Sequence, residues 1–175
     1  MIDGLTGWAE AISIDDQPAE TVAHVIFSEW ISRYGAPEQI HSDRGPQFES
    51  ALFEELCTSF GVDKTRTTPL RPQSNGKCER FYRTLITMLR RAVQRRPYNW
   101  EPLLPAVLQA DRSTPSEATG FTPHRLAFGR EMRLPSDVGT PLPEPARDIR
   151  TFANNLVEDL EWSYGVAREV SGLQH

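Results

Sequence analysis

Two carboxylates in this chain sit where they could do chemistry together. Asp43 lies in HSDRGPQFES, between a small hydroxyl and an Arg-Gly-Pro turn, at the point where an apolar run ends. Glu79 lies in PQSNGKCERFYRTL and is the single acid among ten basic residues between Lys64 and Arg96. Thirty-five residues separate the two, room for a helix, a strand and a loop that return the chain to one end of a sheet. Mg2+ is usually held by one or two carboxylates, with water and phosphate oxygens completing its shell. An acid pair beside concentrated positive charge therefore suits a divalent ion, Mg2+ or Mn2+, that works on phosphate. Two such ions about 3.5–4 Å apart can stabilise both the attacking and the leaving oxygen of phosphoryl transfer, and holding both usually takes three carboxylates. Arg83 follows Glu79 by four residues on the same helix face, within reach of a phosphate beside the metal, and Lys77 and Arg80 flank it. The competing reading of these residues is an exposed aspartate and a surface glutamate paired to arginine.

The net charge of −5 is unevenly spread, with +9 between Lys64 and Arg96 and −14 on the remainder. Such a basic element is what phosphate binding needs locally, although a solvated helix face gives the same pattern. The 175 residues, 38% hydrophobic and 25% charged, suit one globular domain with a real core. No run of apolar residues is long enough for a membrane span, and the N-terminus MIDGLTGWAE does not read as a secretory signal. Cys57 and Cys78 read as reduced thiols on helices, which points to an intracellular setting, and no paired zinc-finger spacing is present.

The elements that must position the acids follow from periodicity. Gly7–Ile14 alternates as a strand, and Asp15-Asp16-Gln17-Pro18 opens a helix whose Val22, Ile26, Trp30 and Tyr34 form the apolar stripe up to Gly35. Gln39–Ser42 is a short strand with Asp43 at its C-terminal end. Ser50 caps a helix carrying Leu52, Phe53, Leu56, Cys57 and Phe60, and Val62–Thr67 is a further strand. Thr68–Gly76, rich in turn formers, is a loop, and a long helix runs to Gln94 with Phe81, Leu85, Met88, Leu89 and Val93 on its core face. Helices follow at Asn99–Ala110 and between Thr122 and Gly129. A stiff Thr140–Pro145 stretch then precedes an amphipathic helix through Phe152, Leu156, Leu160 and Tyr164. The order implies an α/β layered fold with its chemistry at strand ends.

HSDRGPQFES, PQSNGKCERFYRTL and STPSEATGFTPHRLAFGREMRLPSD together resemble the integrase core of gypsy-type long-terminal-repeat retrotransposons, which is similar to retroviral integrase. The resemblance covers Met1 to about Asp137. It implies a ribonuclease H-like three-layer fold, a mixed β-sheet flanked by helices, and two metal ions on an Asp, Asp, Glu triad that cuts and joins DNA. Asp43 matches the second Asp of that triad and Glu79 its Glu, so both are expected to be catalytic and metal-binding. Gln73, Ser74 and Asn75, with Pro72 before them, fall in the loop that approaches the DNA end, and Arg83 takes the place of a basic DNA-contacting residue beside Lys77 and Arg80. Relatives pair through their cores, so the resemblance implies a homodimer acting on DNA, in the nucleus and away from membranes. Gly45 reads as a turn position needing backbone freedom.

IDGLTGWAEAISI matches the second strand of the family's sheet, which puts the opening strand and the first Asp of the triad upstream of Met1. Asp3 matches an Asp of relatives other than the metal-binding one, and Asp15 and Asp16 read as helix-capping acids. Asp111 stands where relatives usually carry an aromatic residue. Were it buried without a partner, it would cost several kcal/mol or neutralise itself. The zinc-binding N-terminal and basic C-terminal modules of an integrase are not in this sequence. The expected organisation is an integrase core at 1–137, incomplete at its N-terminus, a proline-rich linker at 138–148 and a helical extension at 149–175. The functional expectation is a core fragment for DNA integration, inactive alone. The alternative is a non-enzymatic, domesticated module that binds nucleic acid or oligomerises.

Overall fold

Val62, Thr65 and Ile40 are the kind of residues that favour a half-buried pleated surface, and they build the centre of a computed structural model that describes residues 1–67, 76–94, 99–139 and 149–172. The expected loop Thr68–Gly76 lies outside the described residues except for Gly76, as does the expected linker 138–148 from 140 onward, and so do Gln73, Ser74, Asn75, Arg71, Arg95 and Arg96. Contacts divide the chain into two units, Met1 with Glu10–Pro102, and Ile2–Ala9 with Leu103–His175.

In the first unit, β1 (Gln39–Ser42) runs parallel to β2 (Asp63–Arg66), Gln39 standing opposite Asp63 and Ser42 opposite Arg66. The connection between them is α3 (Ala51–Ser59). Parallel strands need such a crossover, and α3 begins where expected: Ser50 Oγ accepts the Phe53 amide at 3.2 Å. Phe53 is fully buried and Cys57 nearly so. They pack with Val22, Ile26, Ile31 and Val62, and Ile40, Phe48 and Leu56 close over that cluster. Burial pushes the Cys57 thiol up, against the pull of Lys64, so it stays protonated. The amide of Asp63 bonds to Glu38 O and that of Thr67 to Ser42 O, so even-numbered residues of β1 face β2. The backbone groups of Gln39 and His41 point to the opposite edge, which has no strand partner among the described residues.

The first helix departs from expectation in two ways. α1 (Ala19–Ile26) continues through a π turn, Phe27–Ile31, into α2 (Ser32–Tyr34) and stops at Gly35, whose φ of 86° suits glycine. The wider turn inserts one residue into the stripe, so Ile31 is buried where four-residue spacing predicted Trp30, and Tyr34 is exposed. Asp15 and Asp16 do not cap α1. Pro18 is the N-cap residue, and its extended backbone holds both acids away from the first amides. Asp16 Oδ1 instead accepts the Thr21 hydroxyl at 3.1 Å.

The strand expected at Gly7–Ile14 is reduced to an isolated antiparallel bridge between Ile2 and Ala9. A strand exists only through its ladder, and no further strand flanks this segment among the described residues. Asp3 organises the turn before the bridge: its Oδ2 accepts the amides of Leu5 and Thr6 at 3.0 and 2.6 Å and the Thr6 hydroxyl at 2.8 Å. This is the work of an Asx turn.

The second unit is helical. α5 (Leu104–Arg112) and α6 (Pro123–Phe128) are in contact, and α6 packs on α7 (Ile149–Ser171). Thr122 caps α6 through the Arg125 amide at 2.9 Å, and Gly129 ends it in the left-handed region at φ 72°. A Cβ on Gly129 would come within 2.8 Å of Leu156 on α7, so packing and backbone both require glycine there. Arg112 donates Nε and Nη2 to Ala9 O at 3.1 and 2.7 Å and lies over the buried Trp8 ring. Sequence reasoning assigned Arg112 nothing; only the fold reveals its role.

Asp111, beside Arg112, is half-buried, and burial raises its pKa against the opposing charge of Arg112. A raised native pKa means that Asp111 favours folding at low pH and that this contribution is lost as pH rises through the native value. Asp111→Asn is therefore expected to raise the melting midpoint at pH 7 by about 1–2 °C, a modest gain because the group is partly solvated. The gain should shrink as pH falls and vanish below about pH 3, where the wild-type carboxyl is almost wholly neutral in both states. Calorimetry at the two pH values checks this, and an equal gain at both would refute it. Among the described residues no helix is long and apolar enough to cross a membrane.

Candidate metal centre and nucleic-acid interface

Asp43 follows β1 directly and is exposed. Its Oδ1 accepts the Gly45 amide at 2.9 Å, an Asx turn that orients the carboxylate. Gly45 is followed by hydrogen bonds from the amides of Phe48 and Glu49 to its carbonyl. The expectation that Gly45 needs unusual backbone freedom is corrected here: its φ is not positive, and an added Cβ would meet only the end of the flexible Gln47 side chain. Ser42 is buried and donates its hydroxyl to Asp43 O at 3.0 Å. His41 Nδ1 lies 3.0 Å from Thr65 Oγ1.

Glu79 stands in the first turn of α4 (Gly76–Val93) and is exposed. The Met1 amine, donated to Glu10 O at 2.8 Å, lies close enough to Cys78 for the two to interact electrostatically. Burial lowers the pKa of that amine, against the opposing influence of Cys78 and Glu10. Leu85 and Leu89 are buried and Phe81, Met88 and Val93 half-buried, the core face read from periodicity.

The opposite face of α4 carries Arg80, Arg83, Arg90 and Arg91, all exposed and without an ion-pair partner among the described residues. Lys77 is half-buried. Lys64 and Arg66, counted with the same basic segment, are on β2, where Glu49 Oε1 takes both at 3.4 and 3.1 Å. Among the described residues, the basic side chains of this segment without an ion-pair partner therefore lie on α4.

Asp43 and Glu79 thus lie in one unit, each exposed, one at a strand end and one at a helix start. Both are hard oxygen donors, and Asp43 is already oriented, which fits a Mg2+-like ion. Among the described residues, no three His, Cys, Asp or Glu side chains cluster as a metal set.

A parallel strand pair joined by a helix, an acid at the end of its first strand and a long helix beyond define the ribonuclease H-like class, as do the solved structures this chain resembles. The integrase core domain family matches residues 1–72, which include Asp43 and end before Glu79. The Gag-Pol polyprotein of Walleye dermal sarcoma virus is 35% identical over 91% of this chain, which spans only 9% of that polyprotein's length. The catalytic core of BIV integrase is 32% identical, with 73% of this chain and 82% of that one aligned at a TM-score of 0.62. The HTLV-2 integrase core, solved with magnesium in a trimeric form, shares the fold at 22% identity, 72% and 80% coverage and a TM-score of 0.60. The chain belongs to the family of retroviral-type integrase catalytic cores.

Proposed function

We propose that this chain is the DNA-joining core of a gypsy-type retrotransposon integrase, with Asp43 and Glu79 as the carboxylates that hold Mg2+ or Mn2+. The observation that carries the reading is the exposed Asp43 carboxylate, fixed by the Gly45 amide at the end of β1. A bound divalent ion supplies Lewis-acid polarisation of a phosphoryl oxygen. The arginines of α4 neutralise the DNA backbone and set its register against the acids, and Gln73, Ser74 and Asn75 contact the DNA end. Such a chain acts on DNA in the nucleus as a homodimer, a reading in keeping with the dimeric form in which the HTLV-2 integrase core has also been solved.

The 175-residue chain is proposed to be inactive alone, because strand transfer uses two ions and no three His, Cys, Asp or Glu side chains cluster among the described residues. The same shortage supports a second reading, a non-enzymatic module that keeps DNA binding and self-association without chemistry. Manganese titration followed by electron paramagnetic resonance tests the metal assignment. Wild-type chain should bind Mn2+, and Asp43→Asn and Glu79→Gln should each weaken binding at least about tenfold. Equal binding by all three chains overturns the metal reading and leaves the module. DNA joining by the purified chain, abolished in Glu79→Gln, would overturn its inactivity.

A further inference from the structure

The residues on both sides of Asp43 share one partner. Thr67, just beyond β2, donates its amide to Ser42 O at 3.0 Å and its hydroxyl to the same oxygen at 3.1 Å. The Thr67 carbonyl accepts Arg44 Nε at 3.3 Å. Thr67 Oγ1 also lies 3.3 Å from His41 Nε2. A hydroxyl has one proton, and that of Thr67 goes to Ser42, so the His41 contact has Nε2–H as donor and Thr67 as acceptor. His41 Nδ1 lies 3.0 Å from Thr65 Oγ1, whose hydroxyl also reaches Ile40 O at 3.4 Å, so both ring nitrogens meet a threonine of the neighbouring segment.

His41, Ser42 and Arg44 therefore converge on one threonine, while Asp43 between them turns outward to Gly45. We infer that Thr67 is a positioning residue for Asp43, tying down the backbone before and after the carboxylate so that it points one way. The inference rests on the proposed role of Asp43 as a metal ligand. The bond from the Thr67 amide is the last rung between the strands, and the side-chain contacts extend its hold past Asp43 to Arg44. Metal ligands need placement within about 0.5 Å, and partners that orient a ligand commonly change metal affinity by about 10–100-fold.

Thr67→Val keeps the shape of the side chain and removes its hydroxyl; Thr67→Ser keeps the hydroxyl. In the full chain, hydrogen exchange is measured at the Gly45 amide, which bonds Asp43, and at the Phe53 amide, which caps α3. Thr67→Val should speed Gly45 exchange about tenfold with Phe53 unchanged and weaken Mn2+ binding about three- to tenfold, and Thr67→Ser should restore both. Unchanged Gly45 exchange in Thr67→Val, or an equal rise at Gly45 and Phe53, overturns the inference. If Mn2+ binding by the wild-type chain is indifferent to Asp43→Asn, the metal reading fails, and Gly45 exchange alone decides whether Thr67 holds the turn.

Discussion

Replacing Arg80, Arg83, Arg90 and Arg91 together by Glu is expected to weaken DNA binding about a hundred- to a thousandfold near 0.1 M salt. Each phosphate neutralised by a side chain releases counterions and contributes about 0.9 to the slope of log affinity against log salt, so losing four contacts should flatten that slope by about 3–4. The four arginines line the face of α4 opposite Leu85 and Leu89 and are free of carboxylate partners among the described residues. From Arg80 to Arg91 the helix rises about 16 Å, enough to follow several phosphates of one strand. Glu at 90 and 91, in the last turn, would also oppose the helix dipole. An Arg→Gln set at the same four positions separates the effects: the slope should fall equally, with helicity by circular dichroism preserved. Fluorescence anisotropy across a salt series reads both quantities, and a slope unchanged by either set would rule out α4 as the DNA surface.

The second large effect is on stability. Phe53→Ala should cost about 3–5 kcal/mol, much of the roughly 5–15 kcal/mol that holds a typical domain together. Phe53 is fully buried, meets Phe48 edge-on at 5.4 Å between centroids and lies under the Lys64 ammonium at 5.6 Å. Its removal leaves a cavity among Val22, Ile26, Cys57 and Val62, with Ile40 of β1, the strand that carries Asp43 at its end, packed against the same cluster. Phe53→Leu should recover stability to within about 1.5 kcal/mol of wild type, because most of the volume is kept. Urea unfolding followed at the first unit checks both, and an alanine variant within about 1 kcal/mol of wild type would show that this cluster is not the core.

Local signals in the sequence were read correctly where they act through a few neighbouring atoms. Ser50 and Thr122 cap their helices as expected, and Gly35 and Gly129 end theirs with positive φ. β1 with Asp43 at its end, and the core face of α4, followed from periodicity. What periodicity could not show was set by distant contacts. The π turn moves burial from Trp30 to Ile31, a change invisible to a fixed helical repeat. Gly7–Ile14 has the alternation of a strand, yet alternation does not supply a ladder partner. Glu49 pairs with Lys64 and Arg66 across a spacing of fifteen residues or more and offsets part of their charge, and Thr67 reaches back to His41 across the parallel pair. At the candidate site, residue types were legible and their supports were not. Asp43, Glu79 and Arg83 announced themselves by chemistry, whereas Thr67 and Arg112 act through backbone oxygens that no sequence pattern marks.

The bare edge of β1 has a bearing on how this chain behaves at high concentration. Amides and carbonyls of Gln39 and His41 hydrate or recruit another backbone where no strand among the described residues covers them. Pro37 lacks a donor on one side, and the charged Asp43 and Arg44 follow on the other, so any borrowed rung is confined to a segment of two residues. Crowded samples should therefore form only shallow, dilution-reversible aggregates along this line. Solubility here is protected by brevity rather than by a shield.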